Sequence, residues 1–212
     1  MRTLRLLALI TLSMTAAAQT VIPLQPFRSI ELHNGGNVTV RHGPAHRVTM
    51  LAGDPRYTDV RVERGHLVIG SDRQACPRGY RLQVEVVTPE LSEVSVFNGG
   101  TLQLAGAFPA QASITATVEQ GGTIDIRSIA TDAVAASIES GGGIFTTARR
   151  ALAATINSGG AVTYWGDPRV EKNVRDGGVV QQGKTADADK PLSEMNPRMP
   201  LIAPIPPVPP IP

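Results

Sequence analysis

The sequence predicts an all-β fold assembled from stacked repeats, on three observations. A seven-residue motif of apolar, any, polar, Gly, Gly, any and apolar residues recurs in six copies. The residues flanking it alternate apolar and polar and are rich in Val, Ile and Thr, as half-buried strands are. Helical spacing is nowhere sustained.

Five copies follow one another: Val96 to Leu102, Val118 to Ile124, Ile138 to Ile144, Ile156 to Val162 and Val174 to Val180. Their first glycines are at 99, 121, 141, 159 and 177, giving steps of 22, 20, 18 and 18 residues. A sixth copy, Leu32 to Val38, stands apart near the start. The polar residue before each pair (Asn98, Gln120, Ser140, Ser158 or Asp176) suits a turn, and glycine enters positive φ without a Cβ clash. Each copy is therefore expected to join two short strands.

Two architectures use such a unit. The glycine turns could close antiparallel hairpins in a meander or sandwich, with second turn signals at Ala107-Phe108-Pro109, Thr131-Asp132 and Gly166-Asp167-Pro168 between them. Alternatively, each unit is one coil of a β-solenoid, with like residues stacked about 4.8 Å apart. The steady register favours the solenoid.

The flanking segments read differently. Residues 1–18 carry Arg2 and Arg5, an apolar run from Leu6 to Met14 and Ala16-Ala17-Ala18, the pattern of a cleaved secretory signal. The apolar run is too short for the ~20 residues of a membrane-spanning helix, and no cysteine follows to suggest lipid anchoring. Residues 19–93 hold alternating runs such as Val60-Arg61-Val62 and Leu67-Val68-Ile69, expected to form a β-rich cap on the coils of residues 94–184. Residues 185–212 begin with a small polar hinge and then hold nine prolines among the last 22 residues, which predicts a disordered or polyproline II tail.

In these features the chain resembles the bacterial head GIN domain family, described as "putative autotransporter adhesins". The resemblance runs from Phe27 to about Gln182 and rests on an ordered set of short motifs. These are Phe27-Arg28-Ser29-Ile30, Gly65-His66-Leu67-Val68-Ile69, Val84 to Val87 followed by Thr88-Pro89-Glu90-Leu91, the glycine repeats, and Val162-Thr163-Tyr164-Trp165-Gly166-Asp167-Pro168. Family members often write Gly-Ser-Gly at the turn, where this chain writes Gly-Gly. The resemblance implies a right-handed parallel β-helix and brings no established catalytic residues with it.

Charge and chemistry narrow the function. The 20 basic and 18 acidic residues become 18 and 18 once Arg2 and Arg5 leave with the signal, so no positive field for nucleic acid or anionic membrane remains. Cys76 is the sole cysteine and forms no intramolecular disulfide. His42 and His46 flank a Gly-Pro loop without a shared face, and the glycine pairs precede no helix, so neither a metal nor a phosphate site is expected. Two before the first glycine, the aligned coils carry Phe97, Glu119, Glu139, Asn157 and Arg175. Glu119 and Glu139 would stack like a glycosidase carboxylate pair, though at an exposed corner a solvated charge is the plainer reading. Tyr164-Trp165 suits either sugar stacking or packing under the last coil.

The sequence thus predicts an exported, non-catalytic β-solenoid without cofactor or metal. It would bind or support an envelope protein or polysaccharide in the periplasm or on the outer surface of a Gram-negative bacterium. The alternative is a polysaccharide-degrading β-helix enzyme using Glu119 and Glu139.

Overall fold

The computed structural model describes residues 20–72 and 74–195, so the expected signal (1–18) and the proline-rich run from residue 196 lie outside the described residues. The protein is all-β. Fifteen strands among the described residues form one curled sheet: β1 (Thr20–Ile22), β2 (Ser29–His33), β3 (Asn37–His42), β4 (Arg47–Ala52), β5 (Thr58–Glu63), β6 (His66–Ser71), β7 (Gln83–Thr88), β8 (Glu93–Phe97), β9 (Thr101–Leu104), β10 (Gln111–Glu119), β11 (Thr123–Ser140), β12 (Gly143–Ser158), β13 (Ala161–Trp165), β14 (Arg169–Val174) and β15 (Val179–Gln182).

Across each glycine pair the chain leaves one row of strands and enters another. The row before the glycines runs β6, β2, β8, β10, the second half of β11, the second half of β12, and β14, with every pairing parallel. The row after them runs β7, β3, β9, the first halves of β11 and β12, β13 and β15, again all parallel. Strands on either side of a glycine pair therefore bond to their counterparts in neighbouring copies, not to each other. Antiparallel hairpins are absent from this array. Among the described residues antiparallel pairing occurs at one end only, where β5 covers β6, and β4 with β1 covers β7.

Stacking places like side chains in columns. Ile69, Leu32, Val96, Val118, Ile138 and Ile156 form one, all fully buried. Val84, Val38, Leu102, Ile124, Ile144 and Val162 face them from the other row, also buried. One apolar interior is shared by all layers, as removal of apolar surface from water requires.

The sequence-isolated copy Leu32 to Val38 is a full layer of this stack. Asn37 and Val38 pair directly with Thr101 and Leu102, and Ile30 and Leu32 with Val94 and Val96. The chain lays down β2 and β3 first, then β6 and β7 beneath them, and then returns above with β8 and β9. Layer order thus departs from chain order, which is why one copy stands apart in the sequence. The cap expected over residues 19–93 contains two of the stacked layers as well as the antiparallel strands.

The two glycines of each pair do different work, as Gly141 and Gly142 show. Gly141 has φ +70° and open space where a Cβ would stand, so only its left-handed backbone demands glycine. Gly142 has φ +102°, and a Cβ there would lie 2.6 Å from the Gly122 carbonyl oxygen and 2.7 Å from Val118 Cγ1 in the layer below. The corners can approach this closely only without side chains. At that separation the amide after each pair donates to the layer below: Thr101 to Gly36, Thr123 to Gly100, Gly143 to Gly122, Ala161 to Gly142 and Val179 to Gly160, at 2.9–3.0 Å. This series ends on Leu82, whose carbonyl accepts from Asn37 at 2.9 Å. Asn34, Asn98, Gln120 and Asp176 are themselves left-handed, whereas Ser140 and Ser158 are not, so the serine corners turn on their glycines alone.

Gly142→Ala should therefore cost about 3 kcal/mol or prevent folding, and Gly141→Ala only about 1 kcal/mol, in urea unfolding of the two variants. Equal losses would show that the column needs left-handed backbone and not close approach.

Candidate functional site

The outer surface divides into two faces. On the row after the glycines, outward positions carry Gln103, Asp125, Phe145, Thr163 and Gln181 in register. On the row before them, Thr115, Ala135 and Ala153 stand outward in register and exposed, and Thr117, Ser137 and Thr155 follow two residues later, half-buried.

The first of these faces is covered. Three residues of β11, 127–129, loop out between the pairs Ile126↔Thr146 and Ala130↔Thr147, and one residue is given back before Ala133↔Ala151. The net excess of two residues is the difference between the 20-residue step from Gly121 and the 18-residue step from Gly141. This bulge presents Arg127. Its Nε and Nη2 grip the two oxygens of Asp125 at 2.9 and 2.6 Å, with side-chain exposures of only 9% and 11%. Nη1 donates to the carbonyls of Asp187 and Ala188 at 3.0 and 3.1 Å, and Nη2 to that of Lys190 at 2.9 Å. The guanidinium also lies 5.1 Å from the Trp165 ring centre and 5.7 Å from that of Phe145.

These bonds hold residues 185–195 against the face. A 3-10 turn, Thr185–Asp187, leads to a single helical turn, Leu192–Met195, whose Leu192 is buried. Against the disorder expected from residue 185, residues 185–195 are held in place, because carbonyls of Asp187, Ala188 and Lys190 satisfy a buried arginine that the sheet alone cannot. Within this strap Lys190 Nζ meets Asp187 Oδ1 at 2.7 Å, and that hydrogen bond holds the Asp187 carboxyl below its usual range. Such a depressed carboxylate favours the strap above the carboxylate range and ceases to do so as pH falls through it. Trp165 lies beneath the strap, 7% exposed, donating Nε1–H to the Lys184 carbonyl at 3.0 Å. Of the two readings of Tyr164-Trp165, the indole takes the packing one.

The second face is bare and bounded by charge. Along the glycine side runs the row His33, Phe97, Glu119, Glu139, Asn157 and Arg175, with Phe97 opposite both His33 and Glu119. His33 stacks on Phe97 with ring centres 4.5 Å apart and planes 16° from parallel. Glu139 is exposed and takes a 2.6 Å hydrogen bond from Asn157 Nδ2, while Glu119 is half-buried one layer below. The carboxylates do fall in adjacent layers, on an open edge. Along the opposite side Asp132 meets Arg149 at 2.7 Å and Arg150 at 3.7 Å.

The histidines occupy separate settings. Glu31 lies between His33 Nε2 and His66 Nδ1, each 3.2 Å away, with His66 out of line for a hydrogen bond. His42 packs edge-on to Phe108, and His46 packs on Phe27 with Nδ1 3.3 Å from Thr88 Oγ1. Among the described residues no three His, Cys, Asp or Glu side chains gather as metal ligands. Cys76 lies in a turn, its Sγ 3.9 Å from the Tyr57 carbonyl. The Glu31 pairing escaped the sequence because His66 is brought to it only by the out-of-order layer.

A family model described as "Putative auto-transporter adhesin, head GIN domain" matches residues 26–117 and 98–168. The chain belongs to this family. No curated protein matches it. Among solved structures, this head GIN domain is similar to a "putative adhesin" from Bacteroides fragilis, at 16% identity and TM-score 0.41 over 78% of this chain and 96% of that one. A "putative cell adhesion protein" from Clostridium sporogenes matches at 8% identity and TM-score 0.38, over 78% of this chain and 99% of that one. A "putative lipid binding protein" from Parabacteroides distasonis matches at 16% identity and TM-score 0.31, over 79% and 96%.

Arg127→Leu should release the strap and leave Asp125 buried without its partner, costing about 3 kcal/mol. Limited proteolysis should then cut within residues 185–195 of the variant and spare the parent; equal resistance would show that Arg127 does not hold the strap.

Proposed function

We propose that this head GIN domain is an exported, non-catalytic binding or scaffolding module of the bacterial envelope, and that its bare face makes the contact. The observation that carries the reading is the asymmetry between faces. One is closed by the chain's own strap, and the other presents small methyl and hydroxyl groups at the repeat of a sheet between two charged rims. A flat, regular face suits a partner that is itself extended and repetitive, such as an envelope polysaccharide or a filamentous protein. Family membership supports an adhesin-like role, and the signal-like residues 1–18 support export. Among the described residues no helix is long and apolar enough to cross a membrane.

The stack itself is read as a right-handed parallel β-helix. The parallel rows and the column of glycine corners support it, and parallel crossovers take the right hand in about 98% of cases. Its antiparallel strands at the β5 and β1 edges serve as the N-terminal cap.

The enzyme alternative needs the two carboxylates to converge on a substrate. Glu139 instead spends its hydrogen bond on Asn157 at a rim, which supports the binding reading. Ala135→Arg with Ala153→Arg should abolish capture of envelope polysaccharide or protein on an array of such extracts, with the unfolding midpoint unchanged. Turnover of any polysaccharide on the array that Glu139→Gln removes would overturn the proposal, as would capture indifferent to the double arginine variant.

A further inference from the structure

Among the described residues nothing pairs over the last layer of the sheet. Among the described residues β14 pairs only with β12, and β15 only with β13, so each leaves a line of main-chain donors and acceptors open there. Val174 and Val179 are exposed there at 39% and 49%. The corner between them keeps the geometry of those below it, with Asp176, Gly177 and Gly178 at φ 44°, 89° and 121°. The Gly178 carbonyl, whose counterparts accept an amide from the following layer, takes no main-chain donor among the described residues. The apparatus for adding a layer is present and unused.

One residue breaks the pattern. The inward column Leu67, Ile30, Val94, Ala116, Ala136 and Ala154 is buried throughout, and its next member is Lys172. Val170 and Val174 flank it, extending the columns of Leu152 and Ile156. Lys172 makes no ion pair among the described residues, whereas its neighbour Glu171 meets Arg169 at 3.0 Å. Lys172 is exposed at this open end, and a strand laying a hydrophobic side chain over it would strip water from its ammonium without offering it a partner.

We propose that the β14 edge receives an extended strand from a second protein that carries Asp or Glu opposite Lys172, between two apolar residues opposite Val170 and Val174. Main-chain bonding to the open edge would supply affinity, and the buried charge pair would supply selectivity. The chain's remaining residues lack the chemistry for that strand. Residues 1–19 and 196–212 contain no Asp or Glu, and the prolines of the latter lack the amides a strand must donate. A second copy fits no better. Its open β5 edge turns Val60 and Val62 towards the interior, opposite the buried Ile69 and Leu67, and keeps Asp59, Arg61 and Glu63 on the other side. That copy would set valine against Lys172, and two β14 edges meeting antiparallel would set lysine against lysine. The same residue thus excludes the protein's own kind and selects an acidic partner.

The site is independent of the bare face, so either can fail alone. The test uses the full mature chain and two synthetic peptides, Thr-Ile-Thr-Glu-Thr-Ile-Thr and its Glu-to-Lys counterpart. The Glu peptide is expected to bind at least about tenfold more tightly than the Lys peptide, with the order reversed by Lys172→Glu. Bound Glu peptide should slow amide exchange along β14 and leave β5 unchanged. Lack of binding by the Glu peptide, equal binding of the two peptides, or a preference that survives Lys172→Glu would overturn the proposal.

Discussion

The fold depends on how closely successive corners approach. A Cβ on Gly142 would stand 2.6 Å from the Gly122 carbonyl oxygen, and in the absence of that atom the amide of Gly143 reaches the same oxygen at 3.0 Å. The contact repeats up the stack and ties successive layers together at each bend. A buried main-chain donor must be satisfied, and the corner is where a sheet that changes direction would otherwise leave one orphaned. Small residues at the corner, parallel register along both rows and a single shared interior are consequences of one steric condition.

Variation is confined to the side of each layer away from the glycines. The 18-residue step from Gly141 runs continuously through β12, and the 22-residue step accommodates the loop between β9 and β10. The 20-residue step spends its surplus on the bulge that lifts Arg127 out of the sheet. From there the arginine gathers Asp125, two aromatic rings and the carbonyls of the chain after β15, closing one face with residues that would otherwise leave the domain. The opposite face keeps its small outward side chains in register and uncovered. The two faces are alike in backbone and differ in what the bulge attracts.

The repeats made the layers legible, because stacked corners must solve the same packing problem with the same residues. Glu119 and Glu139 could accordingly be assigned to adjacent layers from their distance to the glycines alone. Layer order was hidden, since nothing local records that β6 and β7 slide beneath β2 and β3 after them. His33 was recoverable: it sits two residues before Gly35, the same place that Phe97 holds before Gly99, and the stacking of the two rings follows. The strap left almost no trace. It binds Arg127 through main-chain carbonyls, which every residue has, and only Leu192 contributes a buried side chain from the helical turn. Lys172 was visible as a charge but became informative only when its column was seen to be apolar.

Amide hydrogen exchange tests the corner condition most directly. Thr123, Gly143 and Ala161 lie in three different layers and donate to Gly100, Gly122 and Gly142 in the corners below. If those bonds hold the stack together, the three amides exchange only through global unfolding, with one common free energy that falls in step as denaturant is added. Rapid and mutually independent exchange at these positions, while the neighbouring strand amides stay protected, would contradict the account.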